Sequence, residues 1–200
     1  MASVYLALLH HPVYNKKKEI VTTSITGFDL HDIARSAVTF GIKKYYVVNP
    51  LPAQREFARR IFEFWLDEAS LVFNWTRAEA FKLVDIQATL AETIAEITRN
   101  EGKKPQIIAT SAKPRGTIGF GELRQKLKEA DQPYLLLFGT GWGMAEEVFD
   151  QVDGVLPPIN GPREYNHLSV RSAVAIILDR LLGEGPKAFN LKEKTGHEDN

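Results

Sequence analysis

Leu135-Leu136-Leu137-Phe138-Gly139-Thr140-Gly141-Trp142-Gly143 sets four large apolar residues directly before three glycines in five positions. A short apolar run bounded by turn residues is the pattern of a strand buried on both faces of a parallel sheet. The glycines predict a sharp strand-to-helix turn, because each allows φ > 0 and lets a ligand approach the main chain. Unpaired N–H groups at such a turn suit a phosphate or the polar edge of an adenosine. The loop is not GxGxxG, and it lacks the Lys and Ser/Thr of a phosphate-transfer loop. The plain alternative is a tight turn closed under a packed Trp142.

Working outward, short β-type apolar runs alternate with helical patterns. That alternation predicts an α/β chain with a mainly parallel sheet flanked by helices. Strands are expected at Val4–Leu9, Tyr45–Val48, Phe81–Ile86, Gln106–Ala109, Tyr134–Phe138 and Val152–Leu156, with a long polar loop over His10–Phe28. Helices are expected at Asp29–Phe40, with Asp29 as N-cap and Gly41 just past the end, and at Gln54–Leu66 with Phe57, Ile61 and Phe64 inward. Further helices fall at Ala88–Arg99 (Leu90, Ala91, Ile94 and Ile97 inward), Gly121–Ala130 and Met144–Phe149. Ser169–Leu182 carries the clearest helical period, with Val170, Ala173, Val174, Ile177, Leu178 and Leu181 on one face, Ser169 as cap and Gly183 as stop. The polar segment from residue 183 to 200 reads as a frayed tail.

Composition narrows the function classes. The chain has 200 residues and no cysteine, which excludes disulfides, thiolate metal sites and a Cys nucleophile, and suits a cytoplasmic setting. No run reaches the ~18–20 apolar residues of a membrane span, and the start MASVYLALLHHP reads as a strand rather than a signal peptide. Net charge is zero, from 25 basic and 25 acidic residues, so any nucleic-acid contact must come from local patches. Lys16–Lys18, Lys43-Lys44, Arg55/Arg59/Arg60, Lys103-Lys104 and Lys113 with Arg115 are the candidates, each more often a solvated face. His10-His11 has no carboxylate pattern to make a metal site, and no Gly-x-Ser-x-Gly elbow is present.

Two further segments accompany the glycine turn. Leu156-Pro157-Pro158-Ile159-Asn160-Gly161 is held out of helix and central strand by its prolines, and its rigid backbone suits a flat heterocycle. Tyr165-Asn166-His167-Leu168-Ser169-Val170-Arg171-Ser172 gathers polar groups at a helix start beside Leu168 and Val170. The three segments share one 35-residue stretch, and a ligand with a planar purine and polar arms would use that mixture.

These residues resemble the cofactor region of the SPOUT class, the S-adenosylmethionine-dependent RNA methyltransferases. FGTGWG matches the first cofactor loop, LPPINGP the second, and NHLSVRSAVAI the knotted loop and final helix. Near the start, Asp29-Leu30-His31-Asp32-Ile33-Ala34-Arg35-Ser36-Ala37, followed by Phe40-Gly41, is similar to the NxGxxxRxA…FG helix of the ribose-methylating branch. Asp29 stands at the Asn of that pattern, His31 at the Gly, Gly141 at the Glu of the first loop, and Ser169 at the Asn of the third. Base and ribose acceptors therefore both stay open.

The resemblance implies a SPOUT-like domain over residues 1–182, a C-terminal trefoil knot, a homodimer whose partner completes each site, and S-adenosylmethionine as cofactor. The cofactor would be held by Thr110, Gly139, Thr140, Gly141, Gly143, Ile159, His167, Leu168, Ser169 and Val170. Catalytic candidates are Arg35, which falls on the branch's catalytic Arg, with Asp29, Glu164 and His167 as groups to take a proton. The substrate would be tRNA or rRNA. A knotted, non-catalytic RNA- or adenosine-binding protein is the alternative.

Overall fold

The computed structural model describes residues 2–67, 74–163 and 165–185. Six strands form one parallel sheet: β1 (Val4–Leu9), β4 (Lys44–Val48), β5 (Val84–Gln87), β6 (Gln106–Ala109), β7 (Tyr134–Gly139) and β8 (Gly154–Val155). Their spatial order is β5-β4-β1-β7-β6-β8, with every neighbouring pair parallel. The two central strands are apolar throughout because both faces are covered. Leu6, Leu8, Leu136 and Phe138 enter one core, while Tyr5, Ala7, Leu9, Leu135 and Leu137 enter the other. This alternation is the two-residue period of a strand.

The seven helices described are α1 (Gly27–Thr39), α2 (Pro52–Leu66), α3 (Trp75–Phe81), α4 (Leu90–Glu101), α5 (Phe120–Glu129), α6 (Glu146–Phe149) and α7 (Val170–Leu182). Leu30 and Ile33 of α1, Phe62 of α2, Phe81 of α3, Leu123 of α5 and Ile177 of α7 share the first core. Ile97 of α4 and Val148 of α6 belong to the second. Ser169 caps α7 by accepting from the Ser172 N–H, and Arg124 of α5 donates to the Arg180 and Gly183 carbonyls at its far end. The first and last helices pack directly on each other.

Several elements differ from the sequence reading. Thr26, not Asp29, is the N-cap of α1; its hydroxyl accepts from the Asp29 N–H and donates to the Asp29 carboxylate, so Asp29 sits buried in the first turn. The loop over His10–Phe28 holds a two-stranded hairpin, β2 (Val13–Tyr14) with β3 (Ile20–Val21), and the start of α1. In α2 the buried residues are Ala58 and Phe62, one position on from the expected stripe, which leaves Phe57 and Phe64 exposed. Phe81 closes α3 and the strand begins only at Val84.

The remaining shifts are smaller. The α4 helix opens at Leu90 behind a Thr89 cap, with Ala91 exposed and Thr93 and Ile97 inward. Met144 precedes α6 and bridges to Val13, while only Gly154–Val155 of the last strand is paired. Most of the basic clusters are structural: Lys43 pairs with Glu101, Lys44 with Asp85 and Glu96, Lys103 with Asp131, and Arg55 donates to the Asn49 and Pro50 carbonyls. Of the expected tail, only residues 183–185 are described.

Candidate active site

The sheet order reverses between β1 and β7, since β4 and β5 build outward on one side and β6 and β8 on the other. At such a switch point the loops leaving the carboxyl ends of the strands diverge and leave a crevice. Here they enclose a cavity of about 1010 Å³. Thr23, Thr26 and Asp29 line it from the segment after β1, Thr110–Arg115 from the loop after β6, and Gly139–Met144 from the turn after β7. Pro157 and Ile159 follow β8, and Asn166–Arg171 lead into α7.

The turn after β7 is built against the hairpin. Trp142 N–H donates to the Tyr14 carbonyl at 2.9 Å, and Tyr14 N–H to the Gly143 carbonyl at 2.8 Å. Gly141 has φ +61°, and a Cβ there would stand 2.8 Å from the Tyr14 carbonyl oxygen. A Cβ on Gly139 would run into the Met144 side chain. The glycines at 139 and 141 therefore serve internal packing, whereas the sequence suggests close approach of a ligand. Gly143, at φ +101°, has open space and is required for conformation alone. Nor does Trp142 pack over the turn, since it is 60% exposed.

Side chains beneath the turn fix its position. Thr140 Oγ1 lies 2.5 Å from Thr23 Oγ1, and His10 Nδ1 lies 3.1 Å from the same Thr23 hydroxyl. His10 is fully buried, and burial pulls its pKa down to about 4, with the nearby Asp29 charge opposing only in part. Burial and that same charge push the Tyr45 hydroxyl well up, so it stays protonated. Asp29 itself has three held contacts: the Thr26 hydroxyl at 2.7 Å, the Thr26 cap, and Arg171 Nη1 at 3.3 Å from Oδ1. Arg171 also reaches Asp32 at 3.4 Å.

The opposite rim is set by the loop after β6. Thr110 donates its hydroxyl to the Leu137 carbonyl, and Asn166 Nδ2 donates to the Ala112 carbonyl, tying this loop to the approach of α7. Gly116 lies so close to Pro157 that a Cβ would stand 2.8 Å from its Cα. Arg115 forks onto Glu146 with two 2.8 Å bonds and lies over the Phe149 ring. Its charge is neutralised. Lys113, by contrast, makes no ion pair among the described residues and lies 5.9 Å from the Tyr14 ring centre.

All ten residues expected to hold the cofactor line this cavity: Thr110, Gly139, Thr140, Gly141, Gly143, Ile159, His167, Leu168, Ser169 and Val170. Of the catalytic candidates, Asp29 and His167 line it too. Arg35 lies exposed on α1 outside the lining, and Glu164 falls outside the described residues. His31 is half-buried and packs edge-on against Trp65 and Phe81, away from the cavity lining. Thr23, Thr26 and Arg171 also belong to the site: Thr23 and Arg171 act through tertiary partners the sequence does not reveal, whereas Thr26 is a local cap of Asp29 that the Thr-x-x-Asp spacing could have signalled. The lining suits a purine nucleoside with a charged arm: Phe138, Ile159, Leu168 and Val170 are apolar, Thr110 and Asn166 are polar, and Asp29 is anionic.

The chain belongs to the SAM-dependent RNA methyltransferase family, whose model matches residues 3–183. It is 43% identical over 182 residues to a tRNA (guanine-N(1)-)-methyltransferase of Oleidesulfovibrio alaskensis, covering 91% of this chain but 42% of that protein. The chain thus spans less than half the length of that relative. It is also 43% identical over 180 residues to an uncharacterized protein of Aquifex aeolicus, covering 90% of this chain and 88% of that one. Among solved structures, TrmJ from Z. mobilis ZM4 superposes with a TM-score of 0.58 at 15% identity, over 95% of this chain and 73% of its own. That likeness is one of fold: a mainly parallel sheet flanked by helices, as the resemblance implies.

No helix among the described residues is long and apolar enough to cross a membrane.

Proposed function

We propose that this protein moves a methyl group from S-adenosylmethionine to a nucleotide of tRNA in the cytoplasm. The observation that carries the reading is the large cavity at the sheet's switch point, where the three cofactor-type segments converge on Asp29. tRNA is chosen because the relative from Oleidesulfovibrio alaskensis, more than twice as long as the match, is a tRNA methyltransferase. Its guanine-N1 acceptor describes that longer protein and is not carried over.

When bound, S-adenosylmethionine supplies a methyl already activated on a sulfonium. The protein must then hold the acceptor in line and help remove its proton. Ile159, Leu168 and Val170 offer the apolar walls for the purine, and the Val170 and Arg171 amides at the start of α7, ahead of the capped Ser172, are donors without a partner inside the helix. Thr110, Thr140, Ser169 and His167 provide polar contacts, with the main chain of Gly139, Gly141 and Gly143 completing the wall. Asp29 is the proton acceptor of this reading: Thr26 and Arg171 fix its two oxygens, and a carboxylate keeps lone pairs free for a third donor.

The reading includes a knotted C-terminal segment and a homodimer. In that dimer Arg35, exposed on α1, enters the partner's cavity and orients the target phosphate. Lys16–Lys18 at the hairpin tip, exposed and free of ion pairs among the described residues, track the RNA backbone. The test is transfer of labelled methyl from S-adenosylmethionine to transcribed tRNA, followed by nuclease digestion. Label in a nucleotide, reduced at least ~100-fold by Asp29→Ala, supports the reading. No label with any tRNA, or full activity in the variant, removes it.

A further inference from the structure

Trp142 is held where it has no use for its own fold. The residue is 60% exposed, and among the described residues its ring has no ring or cation partner. The other exposed Trp, Trp75, sits on α3, far along the sheet order from this turn. Yet the Trp142 main chain is held on both sides. It lies between Gly141 at φ +61° and Gly143 at φ +101°, its N–H is bonded to Tyr14, and Gly143 receives the Tyr14 N–H in return. A turn that leaves most of a large apolar ring in water gains little in stability from that ring.

Its surroundings name the missing neighbour. Trp142 lines the same cavity as Asp29 and Leu168, and its main chain is bonded to the hairpin. Lys113 lines it as well, and Lys16, Lys17 and Lys18 stand exposed at the tip of that hairpin. An exposed aromatic ring lining a cavity that Lys113 also lines, with three exposed lysines at the tip of the hairpin its turn is bonded to, matches a planar base attached to a polyanion. Recognition of single-stranded or unstacked nucleotides works through such pairs, a ring for the base and cations for the phosphates.

We infer that Trp142 is the stacking platform for the target nucleobase of the acceptor RNA, holding it unstacked beside the transfer site. The inference rests on the proposed function and deepens it. A base taken out of its helix loses its stacking partners, and the indole replaces one of them. The glycines on either side then have a second consequence: they let the turn present the ring outward while its main chain stays locked to the hairpin.

The experiment compares wild type with Trp142→Ala and Trp142→Phe, using a transcribed tRNA pool as substrate and S-adenosylmethionine as donor. Base stacking on an aromatic is worth about 1–3 kcal/mol, so Trp142→Ala raises KM for tRNA about 5- to 150-fold. The Kd for S-adenosylmethionine stays within twofold, and Trp142→Phe restores most of the RNA affinity. An unchanged KM for tRNA overturns the inference. So does an equal loss of donor affinity, which would place the ring on the cofactor instead.

A second readout does not depend on turnover. The chain has three tryptophans, so in Trp65→Phe/Trp75→Phe protein the remaining fluorescence comes from Trp142. Added tRNA quenches it if the ring stacks on a base, and leaves it unchanged if it does not. Quenching without methyl transfer would leave Trp142 as a base-stacking residue but overturn both the proposed function and the base's role as methyl acceptor.

Discussion

Arg171 Nη1 lies 3.3 Å from Asp29 Oδ1, which joins the first turn of the last helix to the first turn of the first helix across 142 residues. The contact closes one wall of the cavity. It also gives the buried Asp29 carboxylate a cation where the strand topology supplies none.

That pair predicts a coupling. Arg171 is partly exposed, so Arg171→Ala should lower unfolding free energy by only about 1 kcal/mol. Methyl transfer should fall much further, because the Asp29 carboxylate loses one of the two groups that fix it. A double-mutant cycle with Asp29→Ala, read on transfer rate, should show strong non-additivity. Independent effects would separate the two residues.

His10 predicts an acid-sensitive fold. Its pKa falls from 6.5 to about 4 on burial, so the folded state disfavours the protonated ring. The stability it contributes is fully present above pH 6.5 and drains as pH drops toward 4. Each tenfold loss of proton affinity on folding corresponds to about 1.4 kcal/mol, which makes the total about 3 kcal/mol. Urea midpoints of wild type and His10→Asn should therefore converge between pH 7 and 4.5. A constant gap over that range would show that His10 does not titrate with folding.

Gly141 predicts a mechanical link between turn and hairpin. Alanine there places Cβ against the Tyr14 carbonyl oxygen and strains a positive φ, so the hairpin must move. Gly141→Ala should lose about 2 kcal/mol or more and speed tryptic cleavage at Lys16–Lys18. Gly161→Ala, at a glycine with open space and ordinary φ, should leave both unchanged. Equal cleavage in the two variants would mean that the turn does not brace the hairpin.

What is legible in the sequence follows from burial. The Ser169–Leu182 period, its cap and its stop are readable because one face of α7 enters the core and local signals agree with it. The same holds for β1 and β7, apolar on both faces. The three cofactor-type segments are also visible, and the fold brings their nine named residues, with Thr110 from the loop after β6, to one cavity. The stripe on α2 is misleading because aromatics at positions 57 and 64 imitate a buried period, while the helix rests on small Ala58 and on Phe62. The hairpin is hidden because two-residue strands have no period to detect, and its hydrogen bonds run to Gly143, far along the chain. Arg171 as partner of Asp29 exists only once α1 and α7 pack together, whereas the Thr26 cap is local to α1 and is masked by Asp29, itself a good cap residue three positions on.

Calorimetric titration with S-adenosylmethionine tests the central claim most directly, on wild type and Leu168→Glu. Leu168 lines the cavity yet is 44% exposed, so the substitution should leave the melting temperature unchanged. Saturable binding at one site per chain, weakened at least ~30-fold in the variant, is the predicted result, since a cofactor bound against that wall would bury a carboxylate without a partner, which is costly. Absence of binding to wild-type protein, or equal binding to both, would contradict the assignment of this cavity to the methyl donor.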